Sequence, residues 1–287
     1  MTIVPRRSVL YMPGINARAL EKAKTLPADT LILDLEDAVA PDKKAEARDL
    51  VVQTLQQGGY GNRELVVRCN SLDTPWGRDD LIAIAATPAH GVCLPKVEKP
   101  DTIHQVVWTL TAAGDETKDI WAMAETPAGI QAIDDIVTAD PRLKVILMGT
   151  SDLSKELRIP HTPQRTGFLY ALSRCVVAAR SAGLDVIDGV HLNLDDEEGY
   201  ATICAQGREL GFDGKSLIHP KQIAEANAVF GPDKTEVELA HQIIAAWDEA
   251  ISSGRAVAVL NGKLVEVLHM EEARRTLAIA DAIQARQ

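Results

Sequence analysis

Eight short apolar runs, separated by longer stretches of helical periodicity, constrain this chain more than any other feature. The runs occupy residues 8–12, 30–35, 64–68, 91–95, 120–124, 145–148, 185–187 and 214–218, with starts 22, 34, 27, 29, 25, 40 and 29 residues apart. A strand with its crossover helix needs about 30 residues, so each run reads as a strand and each interval as one βα unit. Stretches 43–56, 102–113, 129–138, 165–182 and 195–210 are amphipathic, and several end at glycine, where a left-handed residue closes a helix. Eight units predict a closed (β/α)8 TIM barrel. The alternative, an open doubly wound sheet, usually carries a GxGxxG turn after its first strand, and none occurs. Aromatic residues make up only 4% of the chain, which leaves Ala, Val, Leu and Ile to build a core of helices on parallel strands.

The barrel is expected to span residues 1–230, leaving 231–287 as a helix-hairpin-helix lid and oligomerisation segment. Its helices are expected at 235–252 and 270–285, and its strands at 256–260 and 263–268 around Asn261-Gly262, a type I′ turn signal. So short a piece has little core, so it should pack on its own barrel or on a neighbouring subunit.

With 30 basic and 41 acidic residues, the net charge of −11 repels a phosphate backbone and argues against nucleic acid as a partner. Cys69, Cys93, Cys175 and Cys204 form no CxxC pair, which disfavours a zinc cluster or a disulfide framework. The N-terminal apolar run breaks at Pro13-Gly14, too early for a signal peptide, and no later run is long enough for a membrane span. The expectation is a cytoplasmic protein without a membrane partner.

Barrel active sites lie where strands end, so the polar residues after each run carry the chemistry. Run two ends in Asp34-Leu35-Glu36-Asp37, run three in Arg68-Cys69-Asn70, run four at Lys96, run five in Glu125-Thr126-Pro127, and run six in Gly149-Thr150-Ser151-Asp152. Glu125 and Asp152, with no histidine or thiolate beside them, suit a hard ion, Mg²⁺ or Mn²⁺; two carboxylates leave positions for water and a chelating keto or hydroxy acid. The plainer reading is that each caps the helix that follows. Arg68 offers a planar fork to a carboxylate or an enolate oxygen, or else an ion pair at the barrel rim. Glu36 and Asp37 are adjacent, so both reach one site only if the strand has already ended. Gly214-Lys215-Ser216 is not a phosphate loop, because Glu209 stands where the first glycine belongs; neither HExxH nor GxSxG occurs, and His191 reads as a satisfied barrel-end histidine.

Taken in order, Ser8-Val9-Leu10-Tyr11-Met12-Pro13-Gly14, Leu33-Asp34-Leu35-Glu36-Asp37-Ala38-Val39, Arg68-Cys69-Asn70, Leu94-Pro95-Lys96-Val97-Glu98, Glu125-Thr126-Pro127-Ala128-Gly129, Gly149-Thr150-Ser151-Asp152-Leu153, Ile187-Asp188-Gly189-Val190 and Gly214-Lys215-Ser216-Leu217-Ile218-His219-Pro220 resemble the motifs of the HpcH/HpaI aldolase and citrate lyase β-subunit-like family. The resemblance implies a Mg²⁺-dependent enzyme that makes or breaks a carbon-carbon bond in a hydroxyacyl-CoA thioester of malyl, methylmalyl, citramalyl or citryl type. It implies Glu125 and Asp152 as metal ligands and Arg68 against the substrate; the proton transfer that such a reaction needs makes Asp37 the candidate for it, with Glu36 orienting these groups. It also implies a coenzyme A rim made of Asn16, Arg18 and Lys22 with Ile218, His219 and Pro220, and a homotrimer or hexamer.

The tail resembles the lids of family members that cover an adjacent subunit's active site and carry a catalytic aspartate in a Gly-Lys-apolar-apolar-Asp-apolar-Pro pattern. Here Gly262-Lys263-Leu264-Val265-Glu266-Val267-Leu268 puts Glu266 at that position, and no proline follows. One added methylene shifts the carboxylate beyond proton-transfer tolerance, so thioester hydrolysis on the same scaffold is an alternative to carbon-carbon cleavage. Two further alternatives are a CoA-independent hydroxy keto acid aldolase and a non-autonomous subunit of a citrate lyase-like complex.

Overall fold

The computed structural model describes residues 3–255 and 257–286. Strands β1 (Ser8–Pro13), β2 (Thr30–Asp34), β3 (Glu64–Arg68), β4 (Gly91–Leu94), β5 (Asp119–Ala124), β6 (Leu143–Met148), β7 (Asp185–Asp188) and β8 (Gly214–Leu217) follow one another around a closed parallel barrel. The ring shuts where β1 pairs with β8, Val9 opposite Ser216 and Leu10 opposite Leu217. The eight expected strands and the expected TIM barrel are therefore present, with ends displaced by a residue or two.

Side chains alternate along a strand, and that period of two builds the interior. Val9, Ile32, Val66, Cys93, Trp121, Val145 and Ile187 form one buried cluster joined by Met123 and Leu147, with Tyr11 packed at its edge. Two residues onward on the same faces stand Tyr11, Asp34, Arg68 and, past Met123, Glu125, so the phase that fills the core also delivers the polar groups to the mouth. At the opposite end, Arg6 donates to both oxygens of Glu64 (2.8 and 2.6 Å) and to Asp185. Charge at that end stabilises the barrel and takes no part in the mouth.

Two helical expectations need correction. Residues 129–138 form two short helices, Pro127–Gln131 and Ile133–Ile136, because Ala132 leaves helical geometry at φ −91°, ψ 4°. The helix expected over 165–182 begins with a 3-10 turn, Thr166–Phe168, before Leu169–Ser181, since Arg165 is left-handed at φ 50°. All four cysteines are buried and unpaired. No described helix is long and apolar enough to cross a membrane.

The chain divides into two compact units, Arg6–Asn227 and a second made of the first residues with Ala228–Gln287. In the tail unit, the helix Lys234–Ser252 is opened by a capping box in which Asp233 and Glu236 serve each other's backbone N–H at 2.8 Å. Strands β9 (Ala258–Leu260) and β10 (Lys263–Val265) pair antiparallel. Their turn has Asn261 at φ 51° and Gly262 at φ 75°, the double left-handed conformation a type I′ hairpin needs. The expected strand position at Ala256 lies outside the described residues. The second strand stops at Val265, short of the expected Leu268, because Glu266 N–H donates to His269 Nδ1 (3.0 Å) and the helix Val267–Gln284 starts early. Trp247, Ala250, Ala258, Val265 and Met270 give this unit a small core of its own.

Candidate active site

Strand β2 ends at Asp34, so Glu36 and Asp37 lie on the loop and the condition for both to face one site is met. Parallel pairing sets Asp34 directly opposite Arg68, and this register dictates the centre of the mouth. Arg68 closes its fork on Asp34, Nε to Oδ1 at 2.7 Å and Nη2 to Oδ2 at 2.6 Å. Asp34 also accepts from the backbone N–H of Glu36 (2.9 Å) and of Ala38 (3.2 Å), which folds the loop back over the strand end. The guanidinium lies 4.8 Å from the Tyr11 ring centroid. The expectation that the whole fork faces substrate is thus corrected: its paired nitrogens belong to Asp34, and Nη1 alone points on, 2.9 Å from Glu36 Oε2 and 3.4 Å from Asp37 Oδ2. Asp34, noted at the end of run two but given no role, and Tyr11 hold Arg68 in place.

Glu125 continues the inward phase of β5. Thr126, not Glu125, caps the next helix by accepting from Gly129 N–H (3.1 Å), so the capping alternative fails for Glu125. It fails for Asp152 too: the helix Thr150–Leu157 starts at Gly149 without a side-chain cap, and Asp152 stands in its first turn. Gly149 is required here, because a Cβ on it would come 2.3 Å from Glu125 Oε2.

Lys96, left-handed at φ 51°, touches both carboxylates. Its backbone N–H donates to Glu125 Oε1 (2.8 Å) and its ammonium lies 3.3 Å from Asp152 Oδ2. Burial, then Glu36, pushes the Glu125 carboxyl up to about 8. Burial also raises Glu36, with Arg68 opposing it, and Glu36 Oε2 is buried without an aligned hydrogen bond. Burial lowers the Lys96 ammonium, but Asp152, Glu36 and Glu125 outweigh it and hold it above its ordinary value.

Asp34, Arg68, Glu125 and Asp152 line a cleft of about 370 Å³ that Asp37, Thr150 and Ile218 also border. Crowded carboxylates, one forced toward its neutral form and one approached by an ammonium, are a donor set that accommodates a further hard cation. Among the described residues no three His, Cys, Asp or Glu form a group that could hold a metal ion; the cleft brings together the carboxylate pair Glu125 and Asp152.

The residues expected at a coenzyme A rim have local structural duties as well. Asn16 caps the helix Ala17–Ala23 by accepting from Ala19 N–H (3.0 Å), on which Arg18 and Lys22 are exposed one turn apart. His219 Nδ1 accepts from Lys221 N–H (3.1 Å) and Pro220 opens the following 3-10 turn. Glu266, in the tail unit, is exposed at the start of the last helix. His191, expected to be satisfied, keeps a buried Nε2 without a partner.

A family model described as HpcH/HpaI aldolase/citrate lyase matches residues 7–220. The (3S)-malyl-CoA thioesterase of Cereibacter sphaeroides (strain ATCC 17023) is 49% identical over 98% of this chain and 96% of its own. Citrate lyase subunit beta of Escherichia coli (strain K12) is 36% identical over 96% of this chain and 93% of its own. Among solved structures, protein CitE from Mycobacterium tuberculosis in complex with magnesium, acetoacetate and coenzyme A matches with a TM-score of 0.76 and 27% identity, covering 96% of this chain and 97% of that one. On the family model and these relatives, the chain is an enzyme of the HpcH/HpaI aldolase/citrate lyase family.

Proposed function

We propose that this enzyme hydrolyses the thioester of a malyl-type hydroxyacyl-CoA with the help of Mg²⁺, placing hydrolysis ahead of the carbon-carbon cleavage expected first from the sequence. The observation that carries the metal and substrate class is the convergence of Glu125, Asp152 and Arg68 Nη1 on one cleft. Hydrolysis is favoured by the glutamate at position 266 and by the greater identity to a thioesterase, 49%, than to a lyase subunit, 36%.

Glu125 and Asp152 would hold the metal. When bound, it polarises the acyl oxygens and lowers the pKa of coordinated groups. Asp37, at the cleft and 71% exposed, would take a proton from an attacking water. Arg68 Nη1 faces the negative charge that develops on the thioester oxygen, and Asp34 and Tyr11 keep its plane fixed. Glu36, beside Nη1, orients both groups. Water adds to the thioester carbon, the carbon-sulfur bond breaks, and the departing thiolate recovers the proton from Asp37, giving a free hydroxy diacid and the coenzyme A thiol. Asn16, Arg18, Lys22, Ile218, His219 and Pro220 are the coenzyme A rim of this proposal. The tail would act as a lid supplying Glu266 within a homo-oligomer.

Purified protein with Mg²⁺ and malyl-CoA, followed separately for free thiol and for keto acid, tests the reading. Thiol without keto acid is expected. Keto acid with acetyl-CoA and no thiol would return the assignment to carbon-carbon cleavage.

A further inference from the structure

A second cavity, of about 240 Å³, opens beside the cleft between the loop after β7 and the start of the helix Leu169–Ser181. Thr150, Val190 and Leu192 line both spaces. Three of its lining residues bring buried polar atoms without hydrogen-bond partners: Arg165 Nη2, His191 Nε2 and Thr150 Oγ1. Arg165 is 5% exposed and Thr150 3%. Buried polar atoms left without partners are costly, and three around one cavity point to something that occupies it.

The charge beneath the cavity defines the occupant. Arg165 Nη1 reaches both oxygens of Asp188 at 2.7 Å, and Lys215 Nζ reaches the same carboxylate at 2.8 Å. Arg165 Nε is taken by Gln206 Oε1 at 2.6 Å and Lys215 also by Gly189 O at 2.6 Å. Arg165 and Lys215 thus share the one carboxylate of Asp188, and Arg165 Nη2 is left without a hydrogen-bond partner. Asp196, the carboxylate on the wall among the described residues, caps the helix Glu197–Leu210 through Gly199 N–H (3.0 Å) and stands 3.9 Å from His191 Nε2. Arg165 Nη2 bonds neither it nor Asp188, and the negative charge of Asp196 disfavours a doubly charged phosphate.

We propose that this cavity binds a free short-chain carboxylic acid, its carboxylate received by Arg165 Nη2 and His191 Nε2 with the Thr150 hydroxyl alongside. Thr150 opens the helix that carries Asp152, so the occupant touches the same turn as the cleft's carboxylate and its binding is sensed there. The site stands on its own geometry, whichever reaction the cleft performs.

Ligand-observed saturation-transfer NMR with succinate, on the full chain in excess chelator so that no divalent ion draws the acid to Glu125 and Asp152, is the test. Transfer to the succinate protons is expected. Ile203→Phe fills the cavity from the helix side and leaves Arg165, Asp188 and Lys215 in place; it and Arg165→Gln should each weaken binding by about tenfold, the scale of one lost charge-assisted hydrogen bond. If Arg165→Gln does not fold, Ile203→Phe decides alone. Absence of transfer in the unaltered protein, unchanged transfer in Ile203→Phe, or displacement of succinate by a non-hydrolysable hydroxyacyl-CoA thioether overturns the proposal; the last would make the cavity the acyl end of the cleft.

Discussion

At the barrel mouth, Asp34, Glu36, Asp37, Glu125 and Asp152 surround two cations, Arg68 and Lys96; beside it, the single carboxylate of Asp188 is shared by Arg165 and Lys215. The first cluster is short of positive charge and the second of negative charge. Their carboxyls respond in opposite directions: burial and Glu36 raise Glu125, whereas Lys215 and Arg165 overcome the burial of Asp188 and lower it. Buried charge that the chain leaves unbalanced is where ligands of the opposite sign belong, and on the two proposals above the contrast separates a cation site from an anion site within one barrel end.

The contrast can be broken most forcefully by removing the cation the mouth calls for. Chelation is expected to abolish turnover and Mg²⁺ to restore it, with Glu125→Gln and Asp152→Asn weakening metal binding in a calorimetric titration while the barrel stays folded. Full turnover in chelator would erase the distinction.

The next largest effect is on stability and differs in sign between the clusters. Asp188→Asn strands two buried cations and should cost about 3–5 kcal/mol in urea unfolding. Glu125→Gln should leave the metal-free protein as stable or more so, because it deletes a carboxylate that burial already opposes. Equal losses in both variants would contradict the comparison.

Arg68→Lys keeps the charge but loses the two bonds to Asp34, so turnover should fall roughly a hundredfold, the scale of a displaced transition-state donor. Near-normal turnover with an unchanged circular dichroism spectrum would reduce Arg68 to rim structure.

The smallest effect is in pH. A carboxyl raised from 4.5 to about 8 binds a proton in the folded state across that interval while the unfolded chain does not. Its contribution to stability is therefore complete below the unfolded value and is lost as pH rises toward about 8. Metal-free protein should become easier to unfold with urea over that window, and Glu125→Gln should flatten the slope. Asp188 contributes oppositely, and its stabilisation is lost on acidification below the ordinary aspartate range.

Strand positions were legible because short apolar runs and their spacing are local properties, and the mouth was legible because every strand end faces it. The partner of Arg68 was not, although the signal existed: aligning the β2 and β3 runs in parallel register puts Asp34 opposite Arg68. Lys96 could be placed at a strand end, but its left-handed backbone, which aims its N–H at Glu125 and its ammonium at Asp152, comes from the tertiary packing of neighbouring loops. The unpartnered Nε2 of His191 was not legible for the same reason, since how the ring sits against Tyr200 and Asp196, 3.9 Å away, is set by the fold.

Barrel closure has a consequence for self-association. A sheet joined from β1 to β8 has no unpaired rim of N–H and C=O groups, so strand-to-strand aggregation has nowhere to begin on it. Among the described residues, open strand edges belong to the β9–β10 hairpin, where Val259 is 63% and Leu264 52% exposed. Lys263, paired with Leu260 on the other face of the hairpin, puts a charge on the same short edge strand. Replacing it with an apolar residue would give the chain a template for cross-chain pairing, and the solubility of the whole protein would then rest on a turn of two residues and the strands beside it.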